Sequence, residues 1–152
     1  MASPNTTFTS GAILTAAQMN DLPFGLVGAA ENTSLAQTFT TIVDLTSLSV
    51  TFTGIAGRRY RVEGYLLMQS NTNGDAVNLQ IRDGSNTVLQ QGIYHLESSA
   101  VAYMATACTV IAATGSTTVK LSGLRQAGTG TITANGGSTF PAQLIVTDIG
   151  SI

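Results

Sequence analysis

Apolar and polar residues alternate with a period of two along this chain from Gly25 to near its carboxyl end. Segment 58–70 shows the pattern most clearly, because its alternate residues fall into two sets. One set is apolar or small and comprises Tyr60, Val62, Gly64 and Leu66. The other set mixes charge with large apolar side chains and comprises Arg61, Glu63, Tyr65 and Leu67. The pattern predicts a strand with one face in the core and a second face more apolar than solvent exposure requires.

Similar short segments, rich in Val, Ile, Thr and Tyr, recur between Gly, Asn and Asp residues. In one of them the alternation predicts Val77, Leu79 and Ile81 inside and Asn78, Gln80 and Arg82 outside, and the turn sequence Asp-Gly-Ser-Asn follows it. The predicted strands are 25–30, 37–43, 48–54, 58–70, 76–83, 87–97, 100–113, 117–126, 130–136 and 142–150.

So many short strands with tight turns and no helix between them predict an all-β fold. We expect a two-sheet antiparallel β-sandwich, jelly-roll-like, over residues 25–152, preceded by an extended arm and a short helix over residues 1–24. An immunoglobulin-like sandwich is the alternative, although the chain has no Trp and a single Cys where true immunoglobulin domains have a Cys-Trp-Cys pattern.

The amino-terminal segment lacks the residues for a core of its own. Thr15 and Gln18 form a capping box for a helix of about two turns, which Pro23 ends. The residues before it are mostly polar, so the arm is expected to become ordered by docking on another protein. The predicted partner-binding residues are Phe8, Ile13, Leu14, Met19, Leu22 and Phe24. Alternatively, Met19, Leu22 and Phe24 pack back on the sandwich.

Composition limits the classes of partner. The 152 residues are 43% apolar, enough for one core, but only 9% are charged, against about 25% in ordinary soluble domains. A net charge of −2 without charge clusters provides no basic surface for nucleic acid or for an anionic membrane. No apolar run reaches the ~18 residues of a membrane span, and no signal peptide is evident, so synthesis in a cytoplasm is expected.

Candidate chemistry is sparse. His95 is the only histidine, and the acidic residues are scattered without a telling spacing, so no catalytic, cofactor-binding or metal-binding residue is predicted and the protein is not expected to be an enzyme. A glycosidase with paired carboxylates stays open as an alternative, because such a pair is spatial. The single cysteine, Cys108, lies in an apolar segment and is predicted to be buried.

The opening segment, TFTSGAILTAAQMNDLPFGLVG, resembles the opening of many tailed-bacteriophage virion proteins, which have a T-F-x-x-G-x-x-L-T-A-A-x-M-N motif followed by L-P and G-x-V-G. The segments DLTSLSVTFTGIAGRRYRVEGYLLMQS, VNLQIRDG and AGTGTITANGGSTFPAQLIVTDIG resemble small β-sandwich proteins of actinobacterial phages. AGRRYRVEGYLL is also similar to a segment of the C1q and tumour-necrosis-factor jelly rolls, which are trimers.

The resemblance implies a virion structural protein, assembled in the host cytoplasm, without a cofactor. Such proteins are called minor tail, tail-fibre or head-decoration proteins. An arm joined directly to one compact domain favours a homotrimeric decoration protein that binds the major capsid protein. One alternative is a minor tail or tail-fibre protein that contacts tail proteins and a host cell-surface glycan through loops 70–76 and 134–140. Another is a C1q-like soluble binding module.

Overall fold

The computed structural model of the chain describes Ala16, Met19 and residues 22–151. Ala16 and Met19 are helical, and the remainder of the predicted helix, together with Phe8, Ile13 and Leu14, lies outside the described residues. The described residues form ten strands: β1 Gly25–Asn32, β2 Ala36–Phe39, β3 Val43–Gly54, β4 Arg58–Ser70, β5 Asp75–Asp83, β6 Val88–Leu96, β7 Tyr103–Ala112, β8 Gly115–Ala127, β9 Ile132–Asn135 and β10 Ala142–Ser151.

The strands form two antiparallel sheets that pack face to face. Sheet A has the order β7–β4–β10–β1, with β9 continuing the line of β10 beside β4 and β2 pairing with β9. Sheet B has the order β3–β8–β5–β6. The chain crosses repeatedly between the sheets, as in a jelly roll. The predicted all-β sandwich is therefore confirmed, and the immunoglobulin-like alternative is wrong, because that topology gives each strand other neighbours.

The core lies between the two sheets, and the alternation in β4 is confirmed. Tyr60, Val62 and Leu66 are almost completely buried, whereas Arg61 on the opposite face is exposed. At Gly64 in β4 the Leu121 side chain of sheet B occupies the space that a Cβ would need. The largest fully buried side chains are Tyr60, Leu48, Leu66, Met68, Leu79, Ile81, Leu96, Leu121, Ile132 and Leu144.

Two burial predictions are wrong or incomplete. Cys108, predicted to be buried, is exposed, because Ala105 and Ala107 are the residues of β7 that face the core and Cys108 is out of phase with them. Asn78 and Gln80 do alternate with the core residues of β5, yet they are only 2% and 4% exposed. Neighbouring amide side chains on the same outer face cover them through hydrogen bonds.

We predict that Gly64→Ala lowers the free energy of unfolding by about 1–3 kcal/mol, because the added methyl group overpacks the core. A Cβ at this position would lie within 3.0 Å of three side-chain atoms of Leu121, which is itself fully buried. Chemical denaturation measures the change. Gly137→Ala is the matched control, since a Cβ there meets no atom within 4 Å. Equal effects of the two substitutions would contradict this account of the sheet contact.

Candidate functional site

A buried ion pair lies where the amino-terminal segment joins the sandwich. Arg58 opens β4, and Asp148 lies near the end of β10, beside it in sheet A. Two parallel hydrogen bonds join them, from Arg58 Nε to Asp148 Oδ2 and from Arg58 Nη2 to Asp148 Oδ1, both 2.6 Å long. The two side chains are 5% and 1% exposed. Such bidentate pairs fix geometry as well as charge, so this pair locks the start of β4 to the end of β10.

The same two residues hold the segment that precedes β1. Arg58 Nη2 donates a hydrogen bond of 2.7 Å to the carbonyl oxygen of Leu22. The backbone N–H of Phe24 donates to Asp148 Oδ1 over 3.4 Å. The Phe24 ring stacks on the guanidinium group, 3.8 Å from the Arg58 Cζ atom to the ring centroid. Residues 22–24 therefore leave the sandwich in a fixed direction.

Large apolar side chains remain exposed around this ion pair. Leu26 in β1 is 69% exposed. Ile55 is also exposed and lies beside the ion pair, because its carbonyl oxygen accepts a hydrogen bond from the backbone N–H of Arg58. The exposed Ile149 directly follows Asp148 in the chain. We call this group the arm-root patch: Met19, Leu22, Phe24, Leu26, Ile55 and Ile149. Several exposed large apolar residues near one site are typical of surfaces that bind other molecules.

Of the predicted partner-binding residues, Met19, Leu22 and Phe24 belong to the arm-root patch. Their exposed fractions are 56%, 49% and 57%, so packing back on the sandwich holds their backbone but does not bury their side chains. Their predicted role in binding a partner stays a prediction, as does that of the three arm residues outside the described part of the chain.

Sequence reasoning missed the residues that the fold adds to the site. Leu26, Ile55 and Ile149 come from three separate segments, and no local pattern joins them. Arg58 had a usable signal, because it shares the phase of the buried Tyr60 and therefore faces inward. The position of Asp148, its acceptor, could not be inferred from any nearby spacing.

The hydrogen bonds from Arg58 hold the pKa of the Asp148 carboxyl below its usual value, although burial alone would raise it. The N–H groups of Gly150 and Phe24 add to this lowering. The ion pair therefore contributes to stability at neutral pH, and this contribution is lost as Asp148 takes up a proton in acid.

The rest of the described surface offers little for catalysis. Among residues 22–151 with Ala16 and Met19, no three His, Cys, Asp or Glu side chains are placed to hold a metal ion. No helix in this part of the chain is long and apolar enough to cross a membrane. A shallow polar concavity of about 700 Å³ has Glu31 as its only acidic residue. A smaller apolar one, of about 170 Å³, lies beside Phe140 on the outer side of sheet A. The expectation that the protein is not an enzyme stays a prediction.

No protein-family model matches the chain, and no curated protein matches its sequence. Solved structures with a similar chain path include infectious bursal disease virus, Gt strain, with a TM-score of 0.46, 13% identity and coverage of 84% of this chain and 38% of that one. The VP2 subviral particle of the same virus has a TM-score of 0.46 and 12% identity, with coverage of 84% of this chain and 38% of that one. Tailspike protein 4 of bacteriophage CBA120 has a TM-score of 0.31 and 8% identity, with coverage of 80% of this chain and 19% of that one.

This chain thus spans about two fifths of the length of the viral proteins that it matches. At these TM-scores the likeness extends no further than an all-β chain path.

We predict that Arg58→Met lowers the free energy of unfolding by about 3–5 kcal/mol, because it leaves the Asp148 carboxylate buried without its counter-charge. Arg61→Met is the matched control. Its ion pair with Glu63 is on the surface, with side chains 49% and 35% exposed, so a loss of about 1 kcal/mol or less is expected. Denaturant unfolding at pH 7 compares the two. A loss for Arg58→Met no larger than that for Arg61→Met would contradict the role given to this ion pair.

The pH dependence of stability offers a second test. Because the pKa of Asp148 is lowered in the folded chain, its contribution is complete above the unfolded value of about 3.9 and disappears as the pH falls below it. Asp148→Asn should be less stable at pH 7 and lose less stability between about pH 5 and pH 2. A slope remains from Asp75, whose pKa is lowered by the Ser70 hydroxyl, and from Asp44, whose pKa hydrogen bonds from Lys120 and Ser122 lower against the effect of burial. Unfolding curves across this range measure both slopes, and identical slopes would refute the assignment.

Proposed function

We propose that this protein is a structural component of a bacteriophage virion, namely a homotrimeric decoration protein that binds the major capsid protein through its amino-terminal arm. The resemblance of the opening segment and of the sandwich to small phage virion proteins supports the class. The arm and the arm-root patch support binding as the activity. In this proposal no bond of a substrate is made or broken, and the affinity comes from contacts repeated by symmetry.

The observation that carries the proposal is that the Arg58–Asp148 ion pair fixes the arm's exit while the apolar side chains next to it stay exposed. A surface with this much apolar area is stabilised when a partner covers it, by roughly 25 cal/mol for each Å² removed from water. Fixing residues 22–24 before binding also lowers the conformational entropy that docking would cost.

The charge distribution suits this kind of docking. Arg58 and Asp148 at the arm root neutralise each other and are buried. The members of the arm-root patch are uncharged, as the centres of protein interfaces usually are. A capsid surface can therefore cover the arm-root patch while this ion pair stays intact.

Replacing one member of the arm-root patch should weaken loading onto particles. We expect Ile55→Glu to reduce the amount bound to capsids that lack this protein by at least about tenfold, because a carboxylate would have to be desolvated at the interface. Val101→Glu is the matched control. Both residues are 49% exposed and both lie between strands, but Val101 precedes β7 at the opposite end of the sandwich.

Co-sedimentation of purified protein with such capsids measures the loading, and thermal unfolding of each variant checks its fold. Deleting residues 1–21 should abolish loading while leaving the carbonyl group of Leu22 for Arg58. Loading of the Ile55→Glu and truncated proteins at the level of the Val101→Glu control would show that the arm and its root are not the attachment site.

A further inference from the structure

The two outer faces of the sandwich differ in chemistry. On sheet B the outer side chains bond to one another. Thr51 and Thr118 share a hydrogen bond of 2.8 Å, and the Ser122 hydroxyl donates to Asp44, 2.7 Å away, which also pairs with Lys120 at 2.6 Å. Hydroxyl, amide and charged groups dominate this face, and among its buried side-chain atoms Asn78 Oδ1 and Gln80 Oε1 have no hydrogen-bond partner.

The outer face of sheet A is more apolar. The strand register aligns Leu67 of β4 with Met104 of β7, and Arg61 with Val110. Ile145 of β10 lies beside Glu63 in the same way. We call the following residues the sheet A face: Tyr65, Leu67, Met104, Val110 and Ile145. Met104 and Val110 are 46% and 49% exposed, and the other three are half-buried.

An apolar depression of about 170 Å³ adjoins the sheet A face. Tyr65, Leu67 and Met104 form part of its wall, and the exposed Phe140 and the following Pro141 complete it. Apolar depressions are the places where interfaces receive the anchoring side chains of a partner. The sheet A face therefore offers both apolar area and a recess.

Strand β7 borders this face and is an edge of sheet A, along which β6 of sheet B lies. Its sequence YMATACTVIA contains no charged residue and no proline, and its ten-residue pairing with β4 has no bulge. The Tyr94 hydroxyl accepts a hydrogen bond of 2.8 Å from the Thr106 N–H and thus covers the middle of the edge. Cys108 and Val110 have the same phase as Thr106, so their backbone groups also point to the open side. Gly92 of β6 lies close to the same edge, since a Cβ at that position would be 2.9 Å from the Thr106 carbonyl oxygen. The chain thus covers the middle of this edge itself, and the outer face of the sheet is the part left open.

We propose that the sheet A face is the surface through which copies of this chain associate. The charges on the outer side of sheet A are balanced, with two arginines, Arg59 and Arg61, and two glutamates, Glu31 and Glu63. A second copy can therefore meet it with opposite charges aligned, which a strongly acidic or basic partner could not do.

The size of the face also fits a second copy. Four strands about 4.8 Å apart and about nine residues long at roughly 3.4 Å per residue give a projected area of about 600 Å². Side-chain relief brings the accessible area close to the ~800 Å² per partner of a standard stable interface. This inference extends the proposed function by naming the face that associates, and it holds or fails without reference to any particle.

Two matched substitutions on the full chain test the proposal. Met104→Glu places a carboxylate on the sheet A face, and Ile93→Glu places one on the outer face of sheet B. The two residues are 46% and 55% exposed, and each lies on an edge strand. Light scattering coupled to size-exclusion chromatography gives the molar mass across a concentration series, and thermal unfolding confirms that both variants fold.

We expect the wild-type protein and Ile93→Glu to have the mass of an oligomer, two or three times 15.6 kDa, and Met104→Glu to have the mass of one chain. A dimer that only Met104→Glu dissociates would support the sheet A face while contradicting the trimer of the proposed function. A wild-type monomer at every concentration, or dissociation by Ile93→Glu alone, would overturn the proposal.

Cys108 supplies an independent readout, because it is exposed in the single chain and lies beside the sheet A face. Its alkylation by a small thiol reagent should be at least about tenfold slower in the wild-type protein than in Met104→Glu, since association covers it. Equal alkylation rates would contradict the inferred surface.

Discussion

The buried ion pair between Arg58 and Asp148 is the interaction on which the arrangement of this molecule depends. Burying two charges is costly, and it is compensated only where each finds excellent hydrogen-bonding geometry. Here both bonds are 2.6 Å long, and further bonds reach Leu22 and Phe24. One pair thus joins the first residue of β4, the end of β10 and the segment entering β1, which is why the arm leaves the sandwich at a defined place.

The surface of the jelly roll has regions with different properties, and the ion pair belongs to one of them. The end that carries the arm is apolar and rigid at its root, which suits attachment to a larger assembly. The outer face of sheet B is polar and internally bonded, as an outward-facing surface would be. The outer face of sheet A combines the apolar residues of the sheet A face with the surface ion pair of Arg61 and Glu63, which lies among them in β4. In our account, copies associate through the sheet A face and present their arms together, so that individually weak contacts add up through multivalency.

Much of the fold could be predicted from the sequence, because the alternation of apolar and polar residues identifies which residues of β4 and β5 face the core. The same rule was available for Arg58, which shares its phase with Tyr60, and for Cys108, which is out of phase with Ala105 and Ala107. The arm-root patch could not be predicted, since Leu26, Ile55 and Ile149 meet only after the sheets form. Likewise, Arg58 finds its acceptor 90 residues away, and a separation of that kind leaves no local signal.

The central claim, that this protein decorates a phage capsid, is tested most directly by counting its copies in purified particles. Quantitative mass spectrometry against the major capsid protein gives that number. Our account predicts a ratio close to a simple fraction of the capsid subunits, as symmetric attachment to the shell requires. A few copies per particle would contradict it and assign the protein to the tail, and absence from purified particles would contradict a virion role altogether.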